Sequence, residues 1–310
     1  MLEWKRIVLA DKARVASSHA VTAKTVYGVF SADAEQSSRF LACMAGAEAP
    51  LSGEILLDGH AISSRRARIG YLPAGAPFPG ESTPAELLEL VARVKGVKPS
   101  DRFLAIGEVL AFAELSHKKQ SLISSLSAAE RIRLGIAQAW LGSPDVLILD
   151  CIASGLPASE IRAIKRMVRR LAERGACVLL SLARPSDLFG MADRFLIVEN
   201  GEVTPPLSRA DVLSGSTLSL VLGKSSKDAE SFLLGLHPVR SCRAVERSSD
   251  EPLTYLVRSC RSGIAETVAA ELRSAGFDLL ECREEPLGES ERILRRACVS
   301  STPTAKEETK

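Results

Sequence analysis

Long apolar runs, aromatic residues and paired cysteines are all scarce in this 310-residue sequence. Phe, Trp and Tyr together make up 5% of the residues, and no uninterrupted apolar run is long enough to cross a bilayer. The first residues lack the apolar stretch of a secretory signal peptide. We therefore expect a cytoplasmic protein that has no membrane span of its own and meets a membrane only peripherally.

The cysteines and the net charge exclude two further classes of protein. The seven cysteines are odd in number and scattered, and no two of them form a C-x-x-C pair, so we expect reduced thiols and no cysteine metal site. The formal net charge of +2 lacks the basic excess that is typical of nucleic-acid-binding proteins. The sequence therefore predicts no nucleic-acid partner.

The first two thirds of the chain alternate between short apolar runs and amphipathic segments. Strands are expected at 25–30, 53–59, 146–150, 177–181 and 195–198, and the wholly apolar run at 146–150 is typical of a buried parallel strand. Helices are expected from Phe40 onward, between a Thr83–Glu86 capping box and Gly96, and from Ile161 to Leu171. Strands alternating with helices predict an α/β sheet domain over residues 1–210.

The remaining residues show a different pattern. After a linker at 211–216, the order strand, helix, strand, strand, helix, strand predicts a small α+β ferredoxin-like domain over 217–300, and residues 301–310 are expected to be a disordered tail. One sheet face would be buried under two helices. The other face and the edge strands would remain free for contact with another protein.

Residues 24–203 carry ordered motifs of one known family. The stretch Leu126–Leu156 runs L-S-A-A-E-R-I-R-L through V-L-I-L-D to S-G-L, and the segments S-G-E-I-L-L-D-G at 52–59 and I-G-Y-L-P at 69–73 precede it. These segments resemble the ATPase subunits of ABC transporters, particularly the exporter and gliding-motility type. The resemblance implies a P-loop NTPase-like ABC ATPase fold for the first domain.

The phosphate-binding loop is altered at almost every functional position. The family pattern G-x-x-G-x-G-K-[ST] aligns with residues 31–38, where all three glycines are absent and Ser37 replaces the lysine. Backbone N–H groups converge on phosphates through conformations that a Cβ obstructs, so these glycines matter. Asp33 and Glu35 add carboxylates, while Ser38 keeps the position of a Mg²⁺ ligand. The segment is either an ordinary strand-to-helix turn or a phosphate-binding loop. In the second case, Arg39 or the N-terminus of the next helix offsets part of the lost attraction for phosphate.

The other nucleotide-binding motifs have also lost functional residues. By the resemblance, Asp150 matches the Walker B aspartate that holds Mg²⁺, while Cys151 replaces the glutamate that polarises water, and a protonated thiol is a poor base. Ala74 stands at the position of the family's glutamine, and Ala183 at that of its switch histidine. Ser127 survives in the signature segment, where it either caps its own helix with Glu130 or contacts a partner's nucleotide.

These substitutions predict a catalytically degenerate subunit without catalytic residues. Cofactor contacts are expected only at Ser38, Asp150 and Ser127, metal contacts at Ser38 and Asp150, and binding of ATP and Mg²⁺ is expected to be weak or absent. The resemblance implies a pseudo-ATPase that pairs with a competent ABC ATPase subunit and with membrane permease subunits, as a heterodimeric exporter at the inner face of the cell membrane. Two alternatives remain, namely an atypical active ATPase and a cytosolic scaffold with an ABC fold.

Overall fold

A computed structural model describes residues 1–11, 13, 16–152, 155–223, 228–237, 239–245, 253–259, 262–285 and 292–295. The tail predicted at 301–310 lies outside these ranges. The sequence also predicts a last helix around residues 289–296, of which only residues 292–295 are described, and they are helical. No helix in the described ranges is both long and apolar enough to cross a bilayer.

The described residues form strands and helices in alternation. The strands are β1 (Leu2–Val8), β2 (Ser17–Val21), β3 (Val26–Phe30), β4 (Ser52–Leu57), β5 (His60–Ala61), β6 (Ile69–Leu72), β7 (Val146–Ile152), β8 (Cys177–Leu182), β9 (Arg194–Glu199), β10 (Glu202–Val203), β11 (Ser216–Leu222), β12 (Val239–Val245), β13 (Leu253–Ser259) and β14 (Leu279–Glu285). The helices are α1 (Ala34–Met44), α2 (Pro84–Val94), α3 (Pro99–Phe112), α4 (Ala128–Trp140), α5 (Ala158–Glu173), α6 (Pro185–Met191), α7 (Arg209–Ser214), α8 (Ala229–Gly235) and α9 (Ala265–Ser274).

A largely parallel sheet in the order β10-β9-β3-β8-β7-β6 forms the centre of the first domain. Its strands are apolar on both faces because each face is covered. Alternate residues such as Leu147 and Leu149 face a cluster that includes helices α2 to α6, while Val146 and Ile148 face α1 and the antiparallel sheet β2-β1-β4-β5. This two-sided burial confirms the predicted α/β class and explains why the run at 146–150 contains no alternating polar residues.

The start of α1 corrects the sequence prediction. The apolar periodicity predicts a helix from Phe40, but α1 already begins at Ala34 because Asp33 caps its N-terminus. The polar residues between 34 and 39 form the first turns of the helix, where a one-sided apolar pattern has not yet started. For α2 the prediction is confirmed, since Thr83 and Glu86 form the expected capping box and Pro84 is the first helical residue.

Helix α4 packs closely against strand β6 and is held at its C-terminal end by Lys95, the residue that follows α2. A Cβ added at Gly70 would lie 2.2 Å from the carbonyl oxygen of Ala139, so only glycine allows this approach. The Nζ atom of Lys95 donates to the carbonyl oxygens of Gln138, Ala139 and Leu141 at 3.2, 2.8 and 2.7 Å. The lysine therefore satisfies carbonyl groups that the end of a helix leaves without partners.

The third sheet has the order β12-β13-β11-β14 with antiparallel neighbours, which is the strand order of a ferredoxin-like unit. Its apolar face packs against α8 and α9 in a separate cluster. The expectation of a free second face is wrong for the central strands, because Ser219, Thr254 and Arg258 on that face are buried. Helix α7 and the first residue of β11 occupy most of the predicted linker, and the domain boundary itself stays a prediction.

Candidate functional site

The turn between β3 and α1 is built without any left-handed residue. Only Ser31, Ala32 and Asp33 join the strand to the helix, and none of the residues from 31 to 38 has a positive φ. The Asp33 Oδ1 atom accepts a hydrogen bond from the backbone N–H of Glu35 at 3.0 Å. An aspartate of the chain itself therefore occupies the helix N-terminus, where N–H groups and the helix dipole favour an anion.

The two serines that follow have different environments. The Ser37 hydroxyl is buried and donates to the carbonyl oxygen of Ala34 at 2.9 Å, so it is turned back into its own helix. Ser38 is half-buried and lines the cavities described below. The residue in the position of the lysine is thus used structurally, and the predicted metal ligand faces the site.

Asp150 and Cys151 lie in a distorted segment at the end of β7. The pairing between β7 and β8 shifts after Leu149, and Cys151 has a φ of +48°. The hydroxyl of Ser181 donates to Asp150 Oδ1 at 2.6 Å and accepts the backbone N–H of Cys151 at 2.6 Å. Ser181 therefore joins the buried carboxylate to the bulged backbone next to it, and both β7 and β8 position the site.

Two adjoining cavities of about 430 and 380 Å³ meet at these residues. Both cavities are lined by Glu35, Ser38, Ala74 and Asp150. The larger one also contacts Cys151, Ser181, Ala183 and Ile293, and the smaller one Arg39, Glu48 and Tyr71. The fold thus brings Ser38 and Asp150 together and places the alanines at the positions of the family's glutamine and histidine beside them.

The charges at these cavities are unfavourable for a triphosphate. Among the described residues, the carboxylates of Glu35, Glu48 and Asp150 line them, against the single guanidinium of Arg39. Burial, followed by the carboxylates of Asp150 and Glu48, raises the pKa of Tyr71 to about 12, as expected in a negative potential. A phosphate near each carboxylate would meet a repulsion on the order of a few kcal/mol at an effective dielectric constant of about 20. The charges at the two cavities therefore oppose the binding of the phosphates of ATP.

The thiol of Cys151 is poorly suited to act as a base. Burial, and then the carboxylate of Asp150, raises the pKa of this thiol above its usual range. The thiol is therefore neutral near pH 7 and cannot accept a proton as a carboxylate would.

The carboxylate of Asp150 and the hydroxyl of Ser38 are oxygen donors of the type that Mg²⁺ prefers. Nowhere in the described part of the chain do three or more His, Cys, Asp or Glu side chains group together in a way that could hold a metal ion. Any metal at this site would thus depend on two protein ligands, with the remaining positions filled from outside the protein.

Ser127 lies apart from this site. Its Oγ atom accepts the N–H of Glu130 at 3.2 Å, and its own N–H donates to Glu130 Oε2 at 2.8 Å, which confirms the predicted capping box. Ser127 lines neither of the two cavities. The sequence left two roles open for Ser127, and in the structure it caps helix α4.

Four residues of the site escape the sequence prediction. Ser181 follows the apolar run of β8, but nothing in the sequence pairs it with Asp150 across 31 positions. Glu48 and Tyr71 reach the smaller cavity from the loop after α1 and from β6. Ile293 comes from the far end of the chain, so only the folded structure brings it to the site.

Comparison with known proteins gives consistent matches. Residues 37–152 match the family described as ABC transporter. The uncharacterized ABC transporter ATP-binding protein YxlF of Bacillus subtilis (strain 168) is 35% identical over 164 residues, which are 53% of this chain and 55% of that protein. The Nod factor export ATP-binding protein I of Neorhizobium galegae is 27% identical over 302 residues, covering 95% of this chain and 83% of that protein.

Other matches cover less of the relative or are more distant. The methionine import ATP-binding protein MetN of Rhizobium johnstonii is 25% identical over 222 residues, which are 69% of this chain and 59% of that protein. Apart from the Neorhizobium protein, the chain thus spans less than two thirds of the relatives named here. The solved structure of an ATP binding subunit of an ABC transporter superposes with a TM-score of 0.60 at 21% identity, over 68% of this chain and 91% of that chain. This similarity shows the fold alone.

Proposed function

We propose that this chain, whose residues 37–152 match the ABC transporter family, is a pseudo-ATPase subunit of a heterodimeric exporter-type transporter. In this proposal a competent ABC ATPase subunit supplies the hydrolytic site, and separate permease subunits cross the membrane. The subunit itself lies at the inner face of the cell membrane. The subunit contributes the ABC fold, whose surfaces bind its partners, but it does not hydrolyse ATP.

One observation carries the proposal, namely that Asp33 caps the N-terminus of α1. In a phosphate-binding loop the first N–H groups of the helix bind the phosphates, and a lysine neutralises them. Here Asp33 accepts the N–H of Glu35, and Ser37 stands where the lysine belongs. A bound phosphate would have to displace a carboxylate of the chain and then tolerate Glu35 and Asp150 in the cavity.

The pairing with an active partner follows from the family resemblance. ABC ATPases work as head-to-tail pairs in which each phosphate loop faces the signature segment of the other subunit, so a degenerate subunit can serve beside a competent one. The Neorhizobium relative, which matches 95% of this chain, is named as an export ATP-binding protein, and this supports the exporter type.

Calorimetric titration of the purified full chain with Mg²⁺-ATP tests the proposal. We expect no saturable binding in the micromolar range and phosphate release at background, because the loss of a positioned base alone costs about 10² to 10⁴ in rate. An intact ABC ATPase subunit titrated under the same conditions is the control. A micromolar dissociation constant for the chain would contradict the proposal.

A second candidate is an atypical ATPase that uses Ser38 and Asp150. It is favoured by one observation, since both residues line the same two cavities in the positions of the family's metal ligands. Measurable turnover that disappears in an Asp150→Ala variant, but not in a Thr83→Ala variant that removes a helix cap outside the site, would support this activity over the pseudo-ATPase.

A further inference from the structure

The end of the chain returns to the degenerate nucleotide site. Ile293, in the helical segment 292–295, lines the larger cavity together with Ser38, Asp150 and Cys151. An aliphatic side chain thus forms one wall of a cavity whose other walls come from β3, α1, β7 and β8. No feature of the phosphate-loop or Walker B motifs accounts for this contact.

The two residues after Ile293 hold the segment in this position. Leu294 is fully buried and belongs to the hydrophobic cluster of the first domain, which also contains Leu207 and Val212. The guanidinium of Arg295 donates to the carbonyl oxygen of Val212 at 2.8 Å and to that of Gly215. One apolar anchor and one polar anchor therefore fix the segment beside the cavity, on the side of α7.

We propose that residues 292–295 form a C-terminal clasp that covers one side of the larger degenerate nucleotide cavity and hinders external ligands from entering there. Ile293, which is 36% exposed, contributes an apolar surface where a phosphate or a charged partner side chain would need polar contacts, and Leu294 holds it in place. The clasp is an autoinhibitory contact within one chain. It goes beyond the proposed function, because the clasp covers this side whether or not the cavity can bind nucleotide.

Alkylation of the half-buried Cys151 by iodoacetamide measures how far the clasp shields the cavity. Cys151 lines the same cavity as Ile293, and peptide mapping by mass spectrometry separates its modification from that of the other cysteines. When local opening precedes reaction, the alkylation rate follows the population of the open state. We expect Leu294→Ala in the full chain to raise this rate about tenfold or more, since truncating a fully buried leucine removes most of its anchoring contacts.

A matched substitution separates clasp opening from general destabilisation. Leu272 is equally buried but lies in the cluster of the third sheet, so Leu272→Ala should leave the alkylation rate of Cys151 unchanged. Cys177, buried in the central sheet, should stay unreactive in both variants. An equal rise at Cys151 in the Leu272→Ala variant would contradict the clasp.

Two milder variants decide the question if Leu294→Ala unfolds the chain and exposes Cys177. Ile293→Ala removes the side chain that lines the cavity, and Arg295→Ala removes the bonds to Val212 and Gly215. Faster alkylation of Cys151, with Cys177 still protected, supports the clasp in either variant. An unchanged rate in both variants overturns it.

Discussion

At the scale of single residues, the site depends on Ser181 and on a bulge at Cys151. The Ser181 hydroxyl donates to the Asp150 carboxylate and accepts the Cys151 N–H. These two hydrogen bonds hold Cys151 at a φ of +48°. Non-glycine residues adopt this left-handed region rarely, and they retain it where the surrounding contacts enforce it. The backbone of Cys151, at the position of the family's catalytic base, is thus held in a defined conformation, while the thiol of Cys151 carries no charge.

Restoring the base alone should not restore hydrolysis. We expect a Cys151→Glu variant to release phosphate from ATP at the same background rate as the unmodified chain, because α1 is still capped by Asp33 and Ser37 still replaces the lysine. Cys151→Ser is the control for the substitution itself. Hydrolysis above background in the glutamate variant would show that residues 31–39 bind phosphate despite their carboxylates.

At the scale of elements, the junction of α2 and α4 depends on Lys95, a half-buried lysine at the end of α2. Lys95 satisfies three carbonyl groups at the end of α4, and burial lowers the pKa of its ammonium group to about 8. In the unfolded chain the lysine regains its ordinary pKa near 10.4. Between these values the unfolded state binds more protons than the folded state, so stability rises with pH in this window.

Stability measurements across pH test the environment of Lys95. We expect the free energy of unfolding of the unmodified chain, relative to a Lys95→Met variant, to increase by about 2 kcal/mol from pH 8 to pH 10.5. Urea denaturation at several pH values measures this difference, and the variant cancels the titration of all other groups. A difference that shrinks with pH would mean that the carbonyl oxygens outweigh burial and raise the pKa of Lys95.

At the scale of the whole molecule, three hydrophobic clusters divide the described residues. Two lie on opposite faces of the central sheet, and the third lies between the last sheet and helices α8 and α9. Leu294 crosses this division, because it follows the third sheet in the chain but packs in the first cluster. The C-terminal residues therefore contribute to the stability of the ATPase-like part.

Deletion of residues 286–310 should destabilise the first domain although it leaves β14 intact. We expect the free energy of unfolding to fall by about 2 to 5 kcal/mol, the range for truncation of a fully buried leucine side chain. Urea denaturation followed by the fluorescence of Trp4 and Trp140, which both lie in the first domain, measures this loss. Deletion of residues 301–310 alone is the control and should change little. Equal stability of all three chains would contradict the contribution of Leu294.

Most of the fold could be predicted from local patterns. The capping boxes at Thr83 and Ser127 and the apolar run of β7 depend on residues close in sequence, so their positions follow from helix capping and strand burial. The start of α1 was missed because the cap at Asp33 precedes a polar first turn. The prediction that the second face of the third sheet is free is also wrong for its central strands. The alternation of side chains along a strand does not reveal what covers a polar residue such as Arg258.

The sequence by itself determined which chemistry is missing, because a glycine, lysine or glutamate that is absent from a motif cannot be supplied by folding. It also determined that Ser38 and Asp150 could share a site, since Ser38 follows one strand of the parallel sheet and Asp150 lies near the end of another. Only the tertiary structure decided what surrounds them. The bond from Ser181, the carboxylate of Glu48 and the contact of Ile293 join residues far apart in the chain, and such contacts depend on packing rather than on local periodicity.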